Sequence, residues 1–248
     1  MKLSIVIPAY NEADNLPDTL LDLYTTLTEF GIDHELLVVN DNSTDSTEET
    51  IALLSLKIPT LRSVLNLPPN GFGLAIQKGL RECSGEAVAI VMADGSDAPK
   101  DVAHFYFELR KGYDCVFGSR WQKGGEVIDY PVFKLALNRL ANYFIQLLFG
   151  LKYNDVTNAF KMYRIDVIRG CQPLLSSHFN LTVEIPLKAI IRGYSYSVLP
   201  NSWKNRKHGV SKLKIKEMGS RYLFIILYCF IEKWLSRGDY RRAGIKSK

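Results

Sequence analysis

Cysteine is scarce in this 248-residue chain, and no long apolar run occurs. Cys83, Cys115, Cys171 and Cys229 are widely scattered with no C-x-x-C spacing. Neither a zinc site nor a disulfide framework is indicated, and reduced thiols in a cytosolic setting are expected. A membrane-spanning helix needs about 20 apolar residues. The longest candidate, Tyr222 to Ile231, is roughly half that and stops at Glu232-Lys233. The opening run from Leu3 to Pro8 is too short for a signal peptide and reads as a strand. The turn Asn70-Gly71-Phe72-Gly73 lacks the Lys-Ser/Thr of a P-loop and does not fit G-x-G-x-x-G, so its glycines are expected to serve packing of a helix on a sheet. There is no internal repeat and no low-complexity tract.

The composition is that of a globular protein long enough to bury a substantial core. The net charge of +5 matters less than its placement. Lys204, Arg206, Lys207, Lys212, Lys214, Lys216 and Arg221 cluster together, and the tail adds Arg237, Arg241, Arg242, Lys246 and Lys248. Such clusters meet phosphates, anionic lipid or nucleic acid, or form a solvated basic face.

Two acidic elements then stand where strands should end. Leu36-Leu37-Val38-Val39 empties into Asn40-Asp41-Asn42-Ser43-Thr44-Asp45, and Ala87-Val88-Ala89-Ile90-Val91-Met92 leads through Ala93 into Asp94-Gly95-Ser96-Asp97. Short apolar runs closed by turn residues read as buried parallel strands. Ligands of open α/β sheets gather at the carboxyl ends of such strands. Two groups of oxygen ligands at that edge point to a sugar nucleotide and a divalent cation.

The pattern predicts strands at 3–7, 35–39, 62–65, 87–92, 114–118 and 194–199. It predicts helices at about 16–30, 47–55, 74–82, 101–111, 134–149, 165–170 and 182–192. Gly31 closes the first helix, and Ser43 to Thr47 supply caps for the second. The alternation implies the α/β class with a mostly parallel central sheet. Residues 1–215 are expected to form one domain, with 216–248 a C-terminal hydrophobic helix and basic tail that contacts a membrane surface or a second copy of the chain.

Each part of a sugar nucleotide asks something different of a protein. Tyr10 and Pro8 could stack on the base, and Asp41 could accept its N–H donors, a pairing that discriminates strongly because a wrong base leaves a buried group unpaired. Asp45 is expected to cap the next helix. The diphosphate needs a cation, and Mg²⁺ and Mn²⁺ prefer carboxylates and water. Asp94 is placed for this, with Asp97 either a second ligand or a helix cap.

These residues resemble family 2 glycosyltransferases. The resemblance rests on Ser4-Ile5-Val6-Ile7-Pro8-Ala9-Tyr10-Asn11-Glu12, on Val38-Val39-Asn40-Asp41-Asn42-Ser43-Thr44-Asp45, on Asp94, and on Gly118-Ser119-Arg120. Asp155-Val156-Thr157-Asn158-Ala159-Phe160-Lys161-Met162-Tyr163-Arg164 and Arg206-Lys207-His208-Gly209-Val210-Ser211-Lys212-Leu213 look like the polyprenyl-phosphate (dolichol-phosphate) mannosyl- and glucosyltransferase branch. The similarity spans about residues 3–215.

The resemblance implies a GT-A fold, a nucleotide-sugar donor (GDP-mannose or UDP-glucose), Mg²⁺ or Mn²⁺, and inversion at the anomeric carbon. It implies a lipid-phosphate acceptor and a peripheral place on the cytoplasmic face of a membrane, with no nucleic acid as partner. The C-terminal helix is expected at that membrane or in a homo-oligomer. Pro8, Tyr10 and Glu12 would line the nucleotide site, with Asn40 and Asp41 at the base. Asp94 and Asp97 would hold the metal. Arg120, Lys134, Asn138, Arg206 and Lys212 would meet phosphate. The chain departs from the family pattern where Met92 replaces the first acid of D-x-D, Asn40 replaces a common aspartate, and Lys134 and Asn138 replace arginine and serine. A lipid-phosphate acceptor is already an anion and needs no general base. A sugar hydroxyl would need one, with Asp97, Asp155 and Glu184 as candidates.

Overall fold

The computed structural model describes residues 1–205 and 215–242. The chain builds β1 (Leu3–Ala9), α1 (Leu16–Glu29), β2 (His34–Asn40), α2 (Thr47–Ser55), β3 (Leu61–Leu65), α3 (Phe72–Glu82), β4 (Ala87–Ile90), α4 (Pro99–Arg110) and β5 (Cys115–Ser119). There follow β6 (Glu126–Ile128), α5 (Val132–Phe149), β7 (Lys161–Arg164), α6 (Ile165–Gly170), α7 (Leu181–Ile191), β8 (Tyr196–Pro200), β9 (Ser202–Lys204) and α8 (Ile215–Leu235). Seven strands form one sheet in the order β3-β2-β1-β4-β7-β5-β8, and β6 pairs with β9 in a second. Among the described residues β7 alone runs antiparallel to its neighbours in the large sheet. The expected α/β class with a mostly parallel sheet is the one observed.

The unbroken apolar runs follow from burial on both faces. Ile5, Ile7, Leu36 and Val38 point to a core layer shared with α1, α2 and α4. Val6, Leu37 and Val39 point to the opposite layer, shared with α3, α5, α6, α7 and α8. Every residue of β1 and β2 is buried. Gly31 takes a left-handed φ of 63° just past α1, as its place in the sequence predicts.

Three strands escape the pattern. β7 is framed by Lys161 and Arg164 yet lies in the middle of the sheet, between β4 and β5. Lys161 is buried because its ammonium donates to the carbonyls of Val156, Asn158 and Thr182, three acceptors for three protons. Strands β6 and β9 span three residues each, too few for any periodicity to register. β4 also ends two residues early: the chain turns away at Met92, whose N–H is taken by the Asp97 carboxylate at 3.0 Å.

The sheet order decides where a ligand can sit. From β1 the chain steps outward to β2 and β3, then returns to place β4 on the other side of β1. The reversal opens a crevice between the ends of β1 and β4, the usual ligand position in such sheets. The loop 10–12 follows β1, the acidic stretch 40–45 ends β2 and the turn 94–97 follows β4, so both motifs read from the sequence stand at the same carboxyl edge of the sheet.

Candidate active site

The wall after β1 and β2 is a lattice of short polar side chains. Asn11 and Asn42 hold left-handed φ values of 54° and 58°, which asparagine tolerates better than most residues. The Asn11 side chain exchanges hydrogen bonds with Thr44, and Asn42 donates to Asn70 at 2.8 Å. Asp41 is buried and accepts Asn66 Nδ2 at 2.6 Å and the Gly71 N–H at 2.9 Å. Burial pushes its pKa up, and these two bonds pull against that. Each oxygen keeps a further lone pair, so a base N–H can still be accepted.

Other expected contacts fall differently. Tyr10 lies just past β1 and is 38% exposed. Pro8 is buried inside β1, in register with Val39, because a central strand is covered on both faces; it offers no stacking surface. Asn40 is also buried, donating to Glu48 at 2.6 Å and accepting the Ser43 N–H at 2.9 Å. Glu12 accepts from Asn15 at 2.7 Å and holds the entry to α1. Asp45 caps α2 through the Thr47 N–H at 3.0 Å.

Across the crevice, Asp94 is half-buried and accepts the Ser96 N–H at 3.1 Å. Asp97 is buried, and burial first, then the neighbouring carboxylates Asp94 and Asp101, raise its pKa to about 7. The turn is clasped from outside by β9, through a bridge from Asp97 to Trp203 and a bond from the Lys204 N–H to the Ser96 carbonyl at 3.1 Å.

Beyond β5, Arg120 is committed inward. Its backbone N–H, Nε and Nη2 all reach the fully buried Asp155, at 3.0, 2.8 and 2.7 Å. Burial would pull the guanidinium pKa down, but Asp155 outweighs it and holds it above its ordinary value. Little of Arg120 is left for a substrate beyond its field and one nitrogen. Asn138 likewise donates to Thr157 at 2.8 Å, tying α5 to the loop that carries Asp155. Lys134 stays half-buried on the first turn of α5. Arg206 and Lys212 lie outside the described residues.

Two expected general bases are already in use. Asp155 is held by Arg120, and Glu184, fully buried, accepts the Leu175 and Ser176 N–H groups at 2.8 Å each and pairs with Lys188 at 2.6 Å. A basic group was missed in their place. Arg139 on α5 is exposed and lies over the Trp121 ring at 5.0 Å, with Arg120 on the same ring at 5.6 Å. Only the fold brings Trp121 and Arg139 together, so no local spacing could have marked them.

The model of the family described as glycosyl transferase family 2 matches residues 4–171. This chain belongs to that family. The glycosyltransferase is 30% identical over 217 residues to the polyprenol monophosphomannose synthase of Mycolicibacterium smegmatis, covering 84% of this chain and 80% of that one. It is 31% identical over 219 residues to a dolichol-phosphate mannosyltransferase of Pyrococcus furiosus, covering 87% of this chain but spanning only 60% of the relative. In fold it matches the glucosyl-3-phosphoglycerate synthase of Mycobacterium tuberculosis, crystallised with Mn²⁺, UDP and phosphoglyceric acid, with a TM-score of 0.67. That likeness covers 99% of this chain and 81% of the other at 18% identity, and the fold is GT-A. The same synthase has also been crystallised with Mg²⁺ and UDP.

The donor set of the glycosyltransferase can be weighed against such a cation. No group of three or more His, Cys, Asp or Glu side chains placed to hold a metal ion between them occurs among the described residues. Asp94 is the more open carboxylate of its turn, and Asp97 keeps its proton up to about 7. This set fits a cation held through one protein carboxylate and otherwise through water and a diphosphate, a common arrangement for Mg²⁺.

Proposed function

We propose that the chain transfers a hexose, mannose in first place, from a nucleoside-diphosphate sugar to a polyprenyl phosphate at a membrane surface, with inversion at the anomeric carbon. The names of its relatives support the substrate classes. The observation that carries the reading is the pair of apolar stripes on α5 and α8. On α5, Phe133, Leu137, Leu140, Phe144 and Leu147 are exposed at three- and four-residue steps, and on α8 so are Phe224, Leu227, Ile231 and Trp234. The helices meet where Phe149 packs edge-on against Phe230 at 6.2 Å and Lys233 donates to the Phe149 carbonyl. Exposed apolar surface of this extent marks a lipid or protein contact. No helix among the described residues is long and apolar enough to cross a membrane, so lipid would be met at its surface.

An anionic acceptor also suits the engaged state of Asp155 and Glu184, because a phosphate oxygen needs no base to attack the anomeric carbon. Arg139 and Lys134, at the edge of the α5 stripe, would meet that phosphate where lipid headgroups lie. Tyr10 and Asp41 would hold the nucleotide base. Asp94 would hold a divalent cation, which when bound neutralises charge growing on the departing diphosphate. The field of Arg120 adds to this from behind.

Radiolabelled GDP-mannose and UDP-glucose, offered with dolichyl or undecaprenyl phosphate or with soluble glycans, in Mg²⁺ or Mn²⁺, test the reading. Label is expected in the organic phase with one donor. Label found only on soluble glycans would replace it with sugar-to-sugar transfer.

A further inference from the structure

Glu184, Lys188 and Arg192 lie along one face of α7 and its C-terminal cap at four-residue steps, and all three are buried. Charges tolerate burial only when paired and fully bonded. Here each is bonded to the main chain of the segment 170–176. Arg192 Nη1 donates to the Gly170 and Gln172 carbonyls at 2.7 and 3.0 Å, while its other edge pairs with Glu232 of α8. Lys188 donates to the Pro173 carbonyl and to Glu184, and Glu184 accepts the Leu175 and Ser176 N–H groups.

The segment held in this way runs directly onto the first turns of α3 and its cap Gly71. The Ser177 carbonyl accepts the Gly73 and Leu74 N–H groups at 3.1 and 3.3 Å, and the Ser176 carbonyl accepts Gln77 Nε2 at 3.0 Å. Phe179 stacks on Phe72 with centroids 4.0 Å apart. A Cβ on Gly73 would collide with the Ser176 carbonyl oxygen, so this glycine serves the loop contact rather than helix-on-sheet packing; Gly79, against Val6, serves that. On its other side the cap donates the Gly71 N–H to Asp41, and His178 stands near enough to bear on the Asp41 charge. Beside the loop, among the described residues, an open surface depression of about 460 Å³ is lined by Ser177, His178, Asn180, Arg221 and Phe224. The α7 bonds hold the segment in place.

We propose that residues 175–179 form a wall of the pocket for the donor's nucleobase, and that Glu184, neutralised by Lys188, is the positioning residue that sets this wall against Asp41. The proposal rests on the nucleotide-sugar reading above and adds a side of the site that the sequence did not mark.

The double variant Glu184→Gln/Lys188→Met leaves neither charge buried alone and removes one amide acceptor. Calorimetric titration with GDP and with UDP is expected to show affinity for the nucleotide that binds wild type falling about tenfold, the scale of one or two ordered hydrogen bonds. The Gly73 and Leu74 amides should exchange faster, and KM should rise for the donor but not for the polyprenyl phosphate. Gly73→Ala pushes the same wall from the opposite side with the α7 pair intact and should weaken the same nucleotide; it decides alone if the double variant does not fold. Folded variants with faster Gly73 exchange and unchanged nucleotide affinity overturn the proposal. A wild-type chain that binds neither diphosphate overturns the nucleotide-sugar reading itself.

Discussion

Asp97 gives a carboxylate oxygen to the Met92 N–H and is shut off from water, while Asp94, three residues earlier, stays partly open. Their substitutions should therefore report different things. Asp97 has a folded pKa near 7 against an ordinary 3.8. A carboxyl whose pKa is raised by folding costs stability progressively as pH rises through that window. Asp97→Asn keeps an acceptor for Met92 and has no proton to lose. Its stability should match wild type at or below about pH 4 and exceed it at pH 8 by about 4 kcal/mol at most, read as a higher melting temperature. Parallel melting curves at both pH values would show that the carboxyl is not held protonated. Asp94→Asn should leave melting nearly unchanged and lower turnover by about 10²–10³, the usual loss for one preorganised charge-stabilising group. Near-wild-type turnover would remove Asp94 from the cation site.

At the scale of elements, α5 and α8 carry the clearest prediction. Leu140 and Phe224 are exposed, so Leu140→Glu and Phe224→Glu should cost little folding stability, about 0.5 kcal/mol or less. Each removes a side chain whose burial in lipid is worth about 1.5–3 kcal/mol, so co-sedimentation with anionic vesicles should fall at least tenfold. Variants that break a dimer in solution and still bind vesicles would make the stripes a subunit contact. The sequence announced these elements unequally. The repeated apolar run of each parallel strand gave its position to within a residue or two, and Thr47–Ser55 was read with its bounds intact because Asp45 caps it. The α7 stripe was invisible, because Glu184, Lys188 and Arg192 look like a solvated face until segment 170–176 and α8 close over them. β7 was missed for the same reason, its buried Lys161 reading as surface. The crevice was legible in Tyr10, Asp41 and Asp94, which lie at strand ends. Arg139 meets Trp121, and His178 nears Asp41, through tertiary contact alone.

Over the whole molecule, two ion pairs, one half-exposed at its arginine and one buried, mark how distant segments are locked together, and each has a measurable consequence. Glu35 on β2 accepts Ser4 Oγ, Arg62 Nε and the Ser84 N–H, joining β1, β3 and the loop before β4. Burial alone would raise its pKa, but Arg62, Ser4 and Ser84 together bring it down to about 2 from 4.5. Its contribution, about 2 kcal/mol, is complete above pH 4.5 and lost as pH falls towards 2. Glu35→Gln should flatten that part of the acid-unfolding curve. The second pair, Arg192 with Glu232, bears on whether the C-terminal helix is an appendage. Ile225, Ile226 and Cys229 of α8 lie in the same core layer as α3 and α7, and Arg242 returns to pair with Asp114 at 2.9 Å. A chain stopped after Ile215 would strip Arg192 of its carboxylate and uncover that apolar layer, at about 1.5–3 kcal/mol for each large buried side chain exposed or lost. Against a typical total of about 5–15 kcal/mol, little stability would remain. The truncated chain should melt many degrees lower or aggregate rather than become a soluble, active domain. A truncated chain with wild-type melting would show that the helix is carried by the catalytic domain without supporting it.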